Sequence, residues 1–94
     1  MVDEHAVREL ELYADNDGAL YKARRPYLDN MLRRMEKGTY DAKKGVKLWE
    51  YFAARAAKSY AREFGGSWSK TFPPAVRRRA AEYFEREARA ELRG

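Results

Sequence analysis

Apolar residues recur along this chain at helical intervals. Val7, Leu10 and Ala14 fall at i, i+3, i+7, and Leu28, Met31, Leu32 and Met35 at i, i+3, i+4, i+7. Val46, Trp49, Ala53, Ala56 and Tyr60 step by 3, 4, 3 and 4, with Leu48 and Phe52 widening the stripe. Each pattern puts one face of a helix on a common core. No run alternates with the period of a strand, β-branched residues are scarce, and Ala, Arg, Glu, Lys and Leu dominate, all good helix formers.

Turn chemistry sets the expected boundaries. Asp3 caps a first helix to about Ala14, which Asp15-Asn16-Asp17-Gly18 interrupts. A short helical segment, Ala19 to Arg25, ends before Pro26, because proline disfavours helix in the residue preceding it. Tyr27 to Lys37 follows, with Gly38 at the C-terminal cap. Asp41 caps the longest helix, about Ala42 to Phe64, which Gly65-Gly66 ends. After a loop around Trp68, Pro74 opens a last helix where its missing N–H costs nothing; Val76, Ala80, Tyr83, Phe84, Ala88 and Leu92 form its apolar face. The expected fold is all-α: a single helical domain over 1–94, a compact bundle of four main helices with a long central helix.

An internal echo supports two of these helix starts. Thr39-Tyr40 precedes Glu50-Tyr51-Phe52 by the same interval at which Thr71-Phe72 precedes Glu82-Tyr83-Phe84. Tyr40 and Phe72 each stand just before a helix start, where an aromatic staples the incoming chain to the first turns.

Length and composition narrow the classes. Ninety-four residues with 45% hydrophobic content make one modest core. The absence of cysteine removes disulfides, thiolate metal sites and thiol nucleophiles together. No apolar stretch is long enough to span a bilayer, and the opening MVDEHAVREL has no secretory pattern. The expected location is the cytoplasm, of a host cell if the protein is phage-encoded.

Catalytic and metal chemistry have little to work with. Asp15-Asn16-Asp17-Gly18 fails as a calcium loop, since the first and twelfth positions are Tyr13 and Arg24 rather than oxygen ligands. His5 is the only histidine and stands near a helix start. Gly65-Gly66-Ser67 follows a helix instead of opening one, the wrong end for phosphate binding. Glu82–Arg86 and Glu85–Arg89 read as i, i+4 surface ion pairs. No enzymatic activity, cofactor or metal is expected. A helix–turn–helix around Gly38 is disfavoured, because Arg33 and Arg34 occupy positions where the first helix should present small or apolar residues.

Charge brings in a partner. The net charge is +5, yet residues 1–17 carry six acids against Arg8 alone, and 18–48 carry nine Lys and Arg against three acids. Lys43, Lys44 and Lys47 lie in the first two turns of the long helix, and Arg77, Arg78 and Arg79 early in the last. Helix N-termini prefer acids, and each misplaced cation costs up to a few tenths of a kcal/mol. Two such starts suggest a compensating anion, either the acidic first helix or an external polyanion. If the starts lie together, the six cations form one patch that Arg24, Arg25, Arg33 and Arg34 extend. Tyr40 or Trp68 would stack on unpaired bases if exposed beside it; core or staple packing is the preferred reading of both.

Asn16-Asp17-Gly18-Ala19-Leu20-Tyr21, Lys37-Gly38-Thr39-Tyr40-Asp41, Val46-Lys47-Leu48 with Tyr51, and Trp68 followed by Phe72-Pro73-Pro74-Ala75-Val76-Arg77 together resemble a group of short proteins encoded by tailed phages and prophages. The resemblance covers roughly Glu11 to Glu85. It implies a small accessory protein that acts by binding host or phage macromolecules, and it carries over no catalytic residue. The expected function is non-enzymatic engagement of nucleic acid or a nucleoprotein complex through the basic helix starts. The alternative is an anti-defence inhibitor, of the anti-CRISPR kind, that occludes a host protein. A third possibility is a structural component that dimerises through the alanine-rich middle of the long helix.

Overall fold

Local capping accounts for most of the helix boundaries in the computed structural model, which describes residues 2–93. The two end residues of the domain expected over 1–94 lie outside the described residues. Six helices follow in order: α1 (Glu4–Asn16), α2 (Gly18–Ala23), α3 (Arg25–Glu36), α4 (Ala42–Phe64), α5 (Trp68–Thr71) and α6 (Pro74–Arg93). Four are the expected main helices, no strand occurs among the described residues, and the fold is an all-α bundle. Among the described residues, no helix is long and apolar enough to cross a membrane.

Asp3 starts α1 by accepting from the His5 and Ala6 amides, and Asp41 starts α4 by accepting from that of Lys43. Gly65 and Gly66 end α4 with positive φ values of 88° and 85°, which side chains rarely adopt. Three boundaries differ from the reading of the sequence. The break after α1 is one residue, Asp17, whose carboxylate caps α2 through the Leu20 amide. The helix α3 takes in Arg25 and Pro26, because proline is tolerated in a first turn that lacks intrahelical acceptors for its N–H groups. Around Trp68 the chain makes one helical turn, α5, rather than a loop.

The helices α4 and α6 pack most extensively and run antiparallel. Phe52 meets Phe84 at 5.1 Å, whereas Tyr60, further along α4, meets Phe72 just before α6, at 4.9 Å. Ala53, Ala56 and Ala57 on α4 and Ala80, Ala81 and Ala88 on α6 are fully buried. Most of the small-residue middle of α4 is therefore used within the chain, and Ala54 is left half-buried beside it. The helix α1 lies against both partners through Val7, Leu10 and Ala14. Between α3, α4 and α6, Trp49 is fully buried against Tyr27, Phe52 and Phe84, with its indole N–H donating to Met31 Sδ at 2.9 Å. The apolar face of α3 is narrower than its pattern: Leu28 and Met31 are buried, Met35 is half-buried, and Leu32 is exposed.

Candidate nucleic-acid interface

The antiparallel pairing decides what becomes of the six candidate cations. It puts the start of α4 beside the later half of α6, as the Tyr40–Glu85 hydrogen bond also records. Arg77 stands level with the stretch of α4 around Ala57, about 14 residues and about 20 Å along the axis from Lys43. The six cations therefore do not gather in one patch, although Lys47 and Arg77 line a common groove.

The three arginines of α6 fan out, as a turn of about 100° per residue requires. Arg77 bends back to donate to the Phe72 carbonyl at 2.7 Å and lies over the Trp68 ring at 4.7 Å. Arg79 points the other way, to Glu4 on α1 at 2.8 Å and to Glu82 at 3.8 Å. Arg78 is exposed between them. Two of the three cations at this helix start thus have compensation inside the chain, one from the acidic first helix. Lys43, Lys44 and Lys47 are exposed, and among the described residues none pairs with a carboxylate. Of the proposed extensions, Arg24 is held by Glu91 at 3.1 Å and Arg25 faces Asp29 at 3.8 Å. Arg34 shares a small crevice with Lys44.

The expected stacking aromatics are occupied. The Tyr40 side chain packs against the core and donates to Glu85 at 2.6 Å. Trp68 is half-buried, with the Lys58 ammonium at 4.9 Å and the Arg77 guanidinium at 4.7 Å from its ring centre. Both fit the packing role preferred for them.

A different surface assembles on the outer flank of α4. Lys44, Lys47, Tyr51, Arg55, Lys58 and Arg62 are all exposed. At about 100° per residue they fall within an arc of about 80°. No acid lies in that arc, and none of its five cations pairs with a carboxylate among the described residues. Tyr51 stands out from the middle of the stripe, 74% exposed. Beside it, Lys47, Glu50, Tyr51 and Ala54 line a shallow groove with Pro74 and Arg77, so one member of each basic helix start does meet there, with one acid beside them. Arg55, Lys58 and Arg62 were not among the residues singled out from the sequence. Their 3- and 4-residue steps from Lys47 and Tyr51 are the signal that the sequence carries for them.

Among the described residues, no group of three or more His, Cys, Asp and Glu side chains is arranged to hold a metal ion. Comparison of the chain with protein-family models, curated proteins and solved structures finds no match.

Proposed function

We propose that this protein is a non-enzymatic nucleic-acid-binding protein whose contact surface is the outer flank of α4. The observation that carries the reading is the alignment of Lys44, Lys47, Arg55, Lys58 and Arg62, all exposed and without ion-pair partners among the described residues, on one face with Tyr51. Unpaired cations along a straight helix release counterions when they meet a phosphate backbone, which supplies affinity without reading sequence. An exposed ring between them offers a surface for stacking an unpaired base. The proposed partners are nucleic acid itself or a nucleoprotein complex. The resemblance to short phage and prophage proteins supports a role in binding rather than catalysis.

The test is binding of single- and double-stranded DNA and RNA across a salt series. A variant combining Lys47→Glu, Arg55→Glu and Arg62→Glu is compared with one of equal net charge, Lys22→Glu, Arg33→Glu and Arg93→Glu. Affinity that falls steeply with salt, is lost in the first variant and survives in the second supports the proposal. No binding at low salt, or equal loss in both variants, overturns it.

A further inference from the structure

The opposite side of α4 has the reverse chemistry. Tyr60, Glu63 and Phe64 lie about 120–180° around the helix axis from the centre of the cationic stripe. Together with Glu9, Leu12 and Tyr13 of α1 they line an open groove. No lysine or arginine lines it, although the chain carries 20 of these residues against 15 acids.

Two of its carboxylates are held in place. Tyr60 donates to Glu9 Oε2 at 2.9 Å, and Tyr13 donates to Glu63 Oε2 at 2.9 Å, with Ser59 Oγ 3.0 Å from the same Tyr13 hydroxyl. The backbone adds charge of the same sign. The lining includes Asn16 and Phe64, the last residues of α1 and α4, so two helix C-termini open onto the groove. Such ends carry partial negative charge and favour cations, yet the last turn of α1 contains no base.

The apolar part is equally defined. Tyr13, Tyr60 and Phe64 form a ring cluster with centroid separations of 5.1, 4.7 and 6.1 Å. Phe64 is 63% exposed and Leu12 47% exposed, which makes them two of the five large exposed hydrophobic side chains among the described residues.

We infer that this groove between the ends of α1 and α4 is a docking site for an arginine-bearing, partly apolar segment of a partner protein. A guanidinium stacks flat on an aromatic ring and presents a planar fork to a carboxylate, whereas a lysine ammonium is a compact, strongly hydrated point charge. The apolar residues of the segment cover Leu12 and Phe64. Phosphate-bearing partners are disfavoured by the carboxylates and the helix ends. The cationic stripe of a second copy fits poorly, because it offers one apolar side chain, Tyr51, to the two that need covering. The inference stands independently of nucleic-acid binding, which uses the other flank of α4.

The probe is an acetylated, amidated peptide of three Leu-Arg repeats, titrated into the full chain and followed by the ring resonances of Tyr13, Tyr60 and Phe64. Saturable shifts confined to these rings and their neighbours are expected, with binding at least tenfold weaker for a Leu-Gln peptide and for the Glu9→Gln, Glu63→Gln double variant. If that variant loses helicity, Phe64→Ser, at an exposed site, provides the same reading with an expected loss of at least fivefold. The inference is overturned by absence of saturable shifts, by equal binding of the Leu-Gln peptide, or by shifts centred elsewhere on the chain. Concentration-dependent shifts of these rings without peptide, accompanied by dimer in sedimentation, would assign the groove to a second copy and overturn it as well.

Discussion

The Tyr40 hydroxyl donates a 2.6 Å hydrogen bond to Glu85, a carboxylate only 2% exposed. Arg89 completes the arrangement, with its Nε 3.1 Å from the same Oε2 and its Nη2 donating to Oε1 at 3.1 Å. The local Glu85–Arg89 spacing suggests a solvated pair on the surface of α6. Burial makes it instead a charged group under the entry to α4, held from both sides. Buried charges are tolerated only when paired and hydrogen-bonded, so the chain segment before α4 and the middle of α6 are fixed to one another.

Tyr40→Phe removes one partner of that buried carboxylate. Hydrogen bonds to charged groups contribute about 1.5–3 kcal/mol, and a loss in this range is expected in urea unfolding. Gly45→Ala is expected to destabilise as well, although alanine is the better helix former by about 1 kcal/mol. Its methyl group would collide with the Tyr40 ring and hydroxyl. A stabilised Gly45→Ala protein would show that Tyr40 does not lie over the first turns of α4.

Met31→Leu conserves volume, and such swaps usually cost less than about 1.5 kcal/mol. Here the sulfur accepts the indole N–H of fully buried Trp49. Leucine leaves that donor without a partner, at about 1–3 kcal/mol. Chemical denaturation followed by tryptophan fluorescence reads the cost, and a loss well below 1 kcal/mol would deny the sulfur its role as acceptor.

Legibility followed range along the chain. Asp3, Asp41 and Pro74 mark their helix starts because a cap is a local device, and the Tyr40 and Phe72 staples lie within two residues of the starts they serve. Glu85 was misplaced because an i, i+4 pair has the same sequence whether solvated or buried; the difference comes from Tyr40, 45 residues away. The six expected cations come together only in part, through Lys47 and Arg77, for a similar reason. Local sequence places Lys43 and Arg77 near helix starts, but the antiparallel direction of α4 and α6 is set by Phe52, Phe84, Tyr60 and Phe72 acting together. The cationic stripe, in contrast, belongs to one helix, and its periodicity is present in the sequence.

Alkaline conditions should weaken the fold through its tyrosines. Burial and the Glu85 bond push the Tyr40 phenol above its ordinary value, the Asp15 bond does so for Tyr83, burial for Tyr13, and the Glu9 bond for Tyr60. The folded chain therefore holds protons that the unfolded chain releases near pH 10, so this stabilisation is complete below about pH 10 and declines as pH rises beyond it. Lysines deprotonate in the same range, but no lysine joins an ion pair among the described residues. Urea midpoints between pH 8 and pH 11 should fall with pH, and Tyr83→Phe should flatten the fall. A flat profile in the parent protein would contradict the bonds from these phenols to carboxylates.

Arg79 and Arg55 separate the structural role of cations in this molecule from the binding role proposed for them. Arg79 is engaged by Glu4 and Glu82, and an exposed pair of this kind contributes about 0.2–1 kcal/mol to stability. Arg55 has no carboxylate partner among the described residues and stands in the stripe on α4. Arg79→Gln is expected to lower the urea midpoint slightly and to leave nucleic-acid affinity nearly unchanged. Arg55→Gln is expected to leave stability within about 0.5 kcal/mol and to weaken binding across all sequences, lowering the slope of log affinity against log salt by about 1. The same slope change for both variants would mean that the polyanion displaces Glu4 and reaches the start of α6. The contact surface would then include the first turns of α6 as well as the flank of α4.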